Sequence, residues 1–190
     1  MPPNLTPSDE DLMERYRDGD AGAFDALYGR HKGGMFRYLA RQCGNSGVAE
    51  ELFQEVWMNV IRARANYTVQ AKFTTYLYKI AHNRLIDHYR TQGAGALASF
   101  DADDGPVLDE VAATRGDDPS ISADARQQAR HLLDLIDSLP PAQREAFLLQ
   151  QESDMSVEEI AQATGVSRET AKSRLRYAIT KLREGMQQVA

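Results

Sequence analysis

"MSVEEIAQATGVSRETAKSRLRYAITKLRE", residues 155–184, decides the reading of this 190-residue chain. Ser156 and Glu159 have the spacing of a capping box, in which two side chains satisfy the orphan backbone N–H groups at a helix start. Gly165 suits the left-handed residue that closes such a helix, and Ser167 can cap the next one. Two short helices joined by a tight turn make a helix-turn-helix. At about 100° per residue, Ala171, Leu175, Ala178 and Leu182 gather on the inner face of the second helix. Glu169, Ser173, Arg176, Tyr177 and Thr180 point roughly the other way, with Lys172 and Arg174 on opposite flanks. The second helix of this motif enters the major groove, where Arg reaches guanine O6/N7 and Ser or Thr reaches bases or phosphates. Arg168, Thr170, Lys172, Ser173, Arg174, Arg176 and Tyr177 are the candidate contacts. Taken alone, the same pattern also fits a solvated amphipathic helix in a small bundle.

The formal net charge of −6 argues against nucleic acid until its distribution is read. Residues 60–90 carry six basic groups against one acid, and residues 168–190 carry six against two. Between them, residues 91–124 hold eight acids against one base. Two basic islands flank an acidic middle.

Working outward, helical spacing dominates and no period-2 strand is convincing, so the expected fold is all-α. In "AEELFQEVWMNVIRAR", Leu52, Phe53, Val56, Trp57, Val60 and Ile61 form an apolar stripe, while Glu51, Gln54, Glu55 and Met58 share another face. "FTTYLYKIAHNRLIDHYR" buries Phe73, Leu77, Ile80, Ala81 and Leu85. Upstream, residues 8–42 read as one short and one or two longer helices, punctuated by Gly19 and the Gly33-Gly34 pair. The expected organisation is a helical domain over 8–91, an acidic linker over 92–124 and a second helical domain over 125–187. The linker is rich in Gly, Ala, Ser, Pro and Asp, and its few large apolar residues lack periodicity. In the second domain Leu132, Leu133, Leu135, Ile136 and Leu139 form the apolar side of a helix that stops at Pro140-Pro141.

In the first basic island, Lys72, Tyr76, Lys79, Asn83, Asp87 and Arg90 fall within about 80° of one helical face. Lysines meet phosphates and an amide reads a base edge, so this face suits a nucleic-acid strand. Just before it, "RARANYTVQAK" reads as a basic loop with an exposed aromatic, Tyr67, able to hold an unstacked base. The bland alternative is a solvated helix with two core-edge tyrosines, Tyr76 and Tyr78.

The composition is that of a soluble globular protein. The first twenty residues have neither a basic nor an apolar signal-peptide region, and no stretch approaches the roughly 18 apolar residues of a membrane span. A single cysteine, Cys43, excludes an internal disulfide framework and is read as a plain structural or surface cysteine rather than a redox-sensitive one. These features predict a cytoplasmic chain without membrane insertion. His31, His82, His88 and His131 lack ligand spacing, so no metal site is expected. With no P-loop, GxGxxG or nucleophile elbow, neither a cofactor nor an enzyme is expected.

"VAEELFQEVWMNVI", "FTTYLYKIAHNRLIDHYR" and "LPPAQREAFLLQQESDMSVEEIAQATGVSRETAKSRLRYAITKLRE" resemble, in order and spacing, the successive blocks of extracytoplasmic-function (ECF) RNA polymerase sigma factors. The resemblance covers nearly everything outside the linker and termini. It implies that the N-terminal domain is sigma domain 2, which docks on core polymerase and binds the −10 promoter element, and that the C-terminal domain is sigma domain 4, which reads the −35 element. It implies docking through Glu51, Leu52, Gln54 and Glu55 on the clamp helices of the largest polymerase subunit. The second-largest subunit's flap would meet the C-terminal domain. It implies −10 contacts at Tyr67, Lys72, Tyr76, Lys79, Asn83 and Asp87. An anti-sigma factor is the further partner implied. The chain departs from the family's pattern at Tyr76, where Trp is usual, and at Tyr177, where Arg is frequent. The alternative reading is a stand-alone helix-turn-helix regulator.

Two promoter elements roughly 25 base pairs apart are separated by about 80 Å at ~3.4 Å per pair. About 34 extended residues reach at most roughly 110–120 Å, so the linker can span the gap. Its charge fits either mimicry of nucleic acid in a basic polymerase channel, through Asp101, Asp103, Asp104, Asp109 and Glu110, or simple solubility.

Overall fold

The computed structural model describes residues 6–101 and 123–187. Helices α1 (Asp9–Arg17), α2 (Ala21–Cys43), α3 (Ser46–Ala63), α4 (Phe73–Thr91) and α5 (Ala94–Asp101) precede α6 (Ala123–Asp137), α7 (Pro141–Ser153), α8 (Val157–Thr164) and α9 (Arg168–Gln187). A 3-10 turn, Arg64–Asn66, follows α3, and the described residues contain no strand. The fold is all-α, as the spacing predicts.

The helix ends follow from local chemistry. Ser8 and Asp11 form a capping box on α1, Asp20 caps α2 and Asn45 caps α3. α2 closes on Gly44 at φ 62°, where a side chain would be strained. Pro141 opens α7 at the position where its missing N–H costs nothing. The N-terminal core stacks Leu27, Met35 and Leu39 of α2 against Val56, Trp57 and Val60 of α3 and Phe73, Leu77, Ala81 and Leu85 of α4. Phe53, Ile61 and Ile80 of the expected apolar faces are only half-buried and pack on the rim.

Two expectations need correction. Gly33-Gly34 does not punctuate the chain; α2 runs through it for 23 residues. A Cβ at Gly34 would lie 3.2 Å from the Glu152 carbonyl oxygen, so this glycine admits the end of α7. Nor does the linker begin at residue 92. Residues 94–101 form α5, whose Phe100 is buried beside His82 and Tyr89. Ala96 and Leu97 pack half-buried on the same core, so these three side chains hold a short Ala-Gly-rich helix. The acidic centre of the linker, with Asp103, Asp104, Asp109 and Glu110, lies outside the described residues.

The C-terminal helices pack directly on the N-terminal ones, α7 on α2 and α5, and α8 on α4. The seam is polar. Arg37 Nη2 meets Glu152 Oε2 at 2.7 Å, and Arg41 Nη1 meets Asp137 Oδ2 at 2.8 Å. Arg144 donates to the Arg41 carbonyl at 2.8 Å, and Gln42 Nε2 to that of Pro141 at 3.2 Å. At its centre Glu145, 1% exposed, accepts from the Tyr38 hydroxyl at 2.6 Å and lies 2.7 Å from His82 Nδ1.

Candidate nucleic-acid interface

The helix-turn-helix is built as its sequence chemistry requires. Ser156 Oγ accepts from the Glu159 amide at 3.2 Å, and Glu159 Oε2 accepts from the Ser156 amide at 2.8 Å. Gly165 takes φ 69°, and Ser167 Oγ accepts from the Thr170 amide at 3.1 Å. Ile160, Ala161 and Ala163 of α8 and Ala171, Leu175, Ala178 and Leu182 of α9 are buried. That leaves Lys172, Arg176, Tyr177 and Thr180 exposed on α9, with Thr170, Ser173 and Arg174 half-buried. The Arg176 guanidinium lies 5.1 Å from the Tyr177 ring centroid, a cation–π contact that sets both side chains on the outer surface. Tyr177 is 45% exposed, a large ring offered to solvent. Arg168 is exposed but engaged, pairing with Glu158 and with Glu169 at 3.4 Å.

In the N-terminal half, Lys79 and Asn83 are exposed on α4 and Tyr76 is half-buried. A shallow groove beside them is lined by Asn59, Arg62, Ala63, Tyr76, Ile80, Asn83 and Arg84. Asp87 sits between two cations, 2.8 Å from Arg84 and 3.3 Å from Arg90, which offsets its charge on this basic face. Lys72 precedes α4, and its ammonium lies 2.9 Å from Glu159 Oε1.

Tyr67 is not the exposed aromatic of the sequence reading. It is 5% exposed, packed edge-on against Tyr76 with centroids 5.2 Å apart. Its carbonyl accepts from Arg17 at 3.3 Å, and burial pushes its phenol up to about 12. The 3-10 turn folds the loop back onto α1, so the ring becomes a support for Tyr76.

Glu51, Gln54 and Glu55 stand exposed on α3, but Leu52 does not belong with them: at 5% exposure it is core. Residues one apart on a helix point about 100° away from each other, which sends Leu52 inward. Met58, 42% exposed, extends the acidic face instead. A second groove joins Glu51, Gln54, Glu55 and Met58 to Asn59, Arg62 and Arg84. Arg62 and Arg84 thus line both grooves. Both lie in the basic island over 60–90, and the charge count there was the signal that could have singled them out.

No group of His, Cys, Asp and Glu among the described residues could hold a metal ion, and no described helix is long and apolar enough to cross a membrane. Burial pushes the Cys43 thiol up to about 12, far from the thiolate a reactive cysteine needs.

The family models for sigma-70 region 2 and sigma-70 region 4 match residues 27–95 and 129–182. The RNA polymerase sigma factor CarQ of Myxococcus xanthus is 37% identical over 173 residues, spanning 90% of this chain and 94% of that protein. The ECF RNA polymerase sigma factor SigE of Mycolicibacterium smegmatis is 32% identical over 185 residues, spanning 95% of this chain and 70% of its own. The fold is shared with CnrH, solved in complex with the cytosolic domain of CnrY, at TM-score 0.65 and 19% identity over 97% of this chain and all of that one. It is shared also with the sigma factor RpoE of Bartonella quintana, solved with the anti-sigma factor NepR, at TM-score 0.62 and 20% identity over 86% and 96% of the two chains. The chain belongs to the ECF RNA polymerase sigma factors. It is a regulatory factor of transcription initiation.

Proposed function

We propose that this sigma factor docks on core polymerase through Glu51, Gln54, Glu55 and Met58 and reads its promoter at two points. Residues 8–91 act at the −10 element through Lys72, Tyr76, Lys79 and Asn83, with Arg62 and Arg84 beside them. Residues 125–187 act at the −35 element through Lys172, Ser173, Arg176 and Tyr177. The observation that supports this reading is that Arg62 and Arg84 line both the groove beside Glu51, Gln54 and Glu55 and the groove beside Tyr76 and Asn83. Acidic and amide groups suit basic clamp helices, and charge complementarity sets register and encounter rate. Opened duplex exposes bases to the adjoining basic face, while flipping each costs a few kcal/mol.

The protein works in the cytoplasm, has no catalysis of its own and is restrained by an anti-sigma factor, as NepR accompanies RpoE in its complex. Transcription in vitro with sigma-free core polymerase tests the core of this. Promoter-specific initiation that depends on this chain is the expected result. Duplex binding as a dimer without any core association would point instead to a stand-alone regulator.

A further inference from the structure

Helix α1 is tied to both ends of the loop that joins the 3-10 turn to α4. Glu10, Glu14 and Arg17 stand at i, i+4 and i+7 on one face of α1, and all three are half-buried. At the loop's exit the Phe73 amide donates to Glu10 Oε1 at 2.5 Å, across 63 positions of chain. At its entry Arg17 Nη1 donates to the Tyr67 carbonyl at 3.3 Å, and the Arg64 guanidinium lies 5.2 Å from the Tyr16 ring centroid. Residues 68–72, between these ties, are all exposed.

The cap on α4 comes from elsewhere in the chain. Lys72 stands at the N-cap position, where Ser, Thr, Asp or Asn ordinarily accepts from a free amide, and its own side chain makes no such bond. Glu10 supplies a carboxylate from a different helix, at the end of α4 where the helix dipole favours negative charge. Helix α1 is itself firmly held. Leu12, Met13 and Tyr16 belong to the core, and Asp9 lies 2.8 Å from Arg30 and 2.7 Å from His31.

We propose that α1 is a positioning element for −10 recognition, with Glu10 and Arg17 holding residues 67–73 in the shape that receives the strand. The proposal rests on the reading of Lys72 and Tyr76 as −10 contacts.

Two lines of contact run from α1 to those residues. Glu10 fixes the Phe73 amide, and with it the backbone on which Lys72 stands. Arg17 fixes the Tyr67 carbonyl, and the Tyr67 ring packs edge-on against Tyr76 with centroids 5.2 Å apart. Direct contact with phosphate does not suit α1, whose first turn holds Asp9, Glu10 and Asp11. Its effect is therefore indirect, through a short loop pinned at both ends. A loop ordered in advance has less conformational freedom to lose when the strand arrives.

Selection by the holoenzyme tests this. The full chain, bound to core polymerase, is given promoter duplexes randomised in turn over the −10 and −35 elements, and the duplexes it retains are sequenced. Glu10→Ala should lower the enrichment of preferred −10 bases by about 3–10-fold, the scale of one lost helix cap, and leave −35 enrichment unchanged. Glu10→Gln keeps an oxygen for the Phe73 amide and should restore most of the loss. Arg17→Ala should lower the same −10 enrichment through Tyr67. Asn45→Ala controls for stability: it removes the α3 cap, a 3.1 Å bond from the Val48 amide at the end of α3 away from the loop. It should leave both enrichments at their wild-type values. Far-UV circular dichroism confirms that each variant is folded at the assay temperature.

Hydrogen exchange of the Phe73 amide, followed by NMR on the full chain, gives a readout that needs no DNA. It should quicken about 10-fold in Glu10→Ala and stay at the wild-type rate in Asn45→Ala. Unchanged exchange in Glu10→Ala overturns the cap. Faster exchange with unaltered −10 enrichment, or a loss equal at both elements, overturns the positioning role. Absence of −10 enrichment by the wild-type chain would count against the proposed function, whereas the exchange result stands apart from it.

Discussion

Lys72 and Glu159, 87 positions apart in the chain, hold their charged atoms 2.9 Å apart, joining the start of α4 to the start of α8. The contact links the two halves that the sequence reading assigns to separate promoter elements. Glu159 is also the carboxylate of the α8 capping box, accepting from the Ser156 amide at 2.8 Å.

Hydrogen bonding from Lys72, then from the Ser156 amide, holds the Glu159 carboxyl below its ordinary 4.5. A depressed carboxylate contributes stability that is present above the unfolded value and lost as pH falls through the folded one. The seam and the α8 cap should therefore weaken below pH 4.5, and Glu159→Gln should lose that acid dependence. Acid titrations of wild type and variant followed by circular dichroism check this; identical acid limbs would refute it. Ser156→Ala should cost about 1 kcal/mol through the lost cap.

Tyr38→Phe should destabilise the chain by about 1–3 kcal/mol, because it strips a hydrogen bond from a buried carboxylate. Burial, with the nearby Glu145, raises the Tyr38 phenol well above its ordinary value, so it stays a neutral donor. Urea unfolding of both proteins measures the difference. A loss under about 0.5 kcal/mol would mean that Glu145 is satisfied without it.

Tyr67→Ala should cost about 3 kcal/mol of stability, as for other buried aromatics. A ring displayed for base capture would instead leave stability unchanged and reduce only DNA binding. Thermal unfolding paired with oligonucleotide binding separates the two.

On the proposed reading of α9 at the −35 element, Arg176→Ala should weaken binding to that element by about 1–3 kcal/mol. Lys172→Ala should reduce the salt dependence of binding by about one unit of slope. Equal, sequence-independent losses from both would make Arg176 a phosphate contact.

Cys43, with its thiol pushed up to about 12 by burial, should resist iodoacetamide at neutral pH and react only on unfolding. Mass spectrometry of native and urea-treated protein reports this directly. Rapid native labelling would show that the site opens.

Local chemistry made much of this protein legible. The capping box at Ser156 and Glu159, the left-handed Gly165 and the apolar spacing of Ala171, Leu175, Ala178 and Leu182 determine the helix-turn-helix, because caps and 3.6-residue periods act over a few residues. The charge islands and the all-α class were equally visible. Tyr67 was misread because its burial depends on α1 folding over the loop, and Leu52 because docking was carried over from a resemblance while its helical phase pointed inward. Gly34 was taken for a helix break because a glycine's neighbours across a seam leave no trace in local spacing.

Only the tertiary structure decided which charges meet. Tyr38 and Glu145 are separated by 107 residues and Arg37 and Glu152 by 115, and nothing in either local stretch names its partner. The sequence determined the helix-turn-helix and the two basic islands. Packing of α7 on α2 and of α8 on α4 determined that the acids of one lie on the bases of the other, since long-range pairing depends on how whole faces fit rather than on any local period.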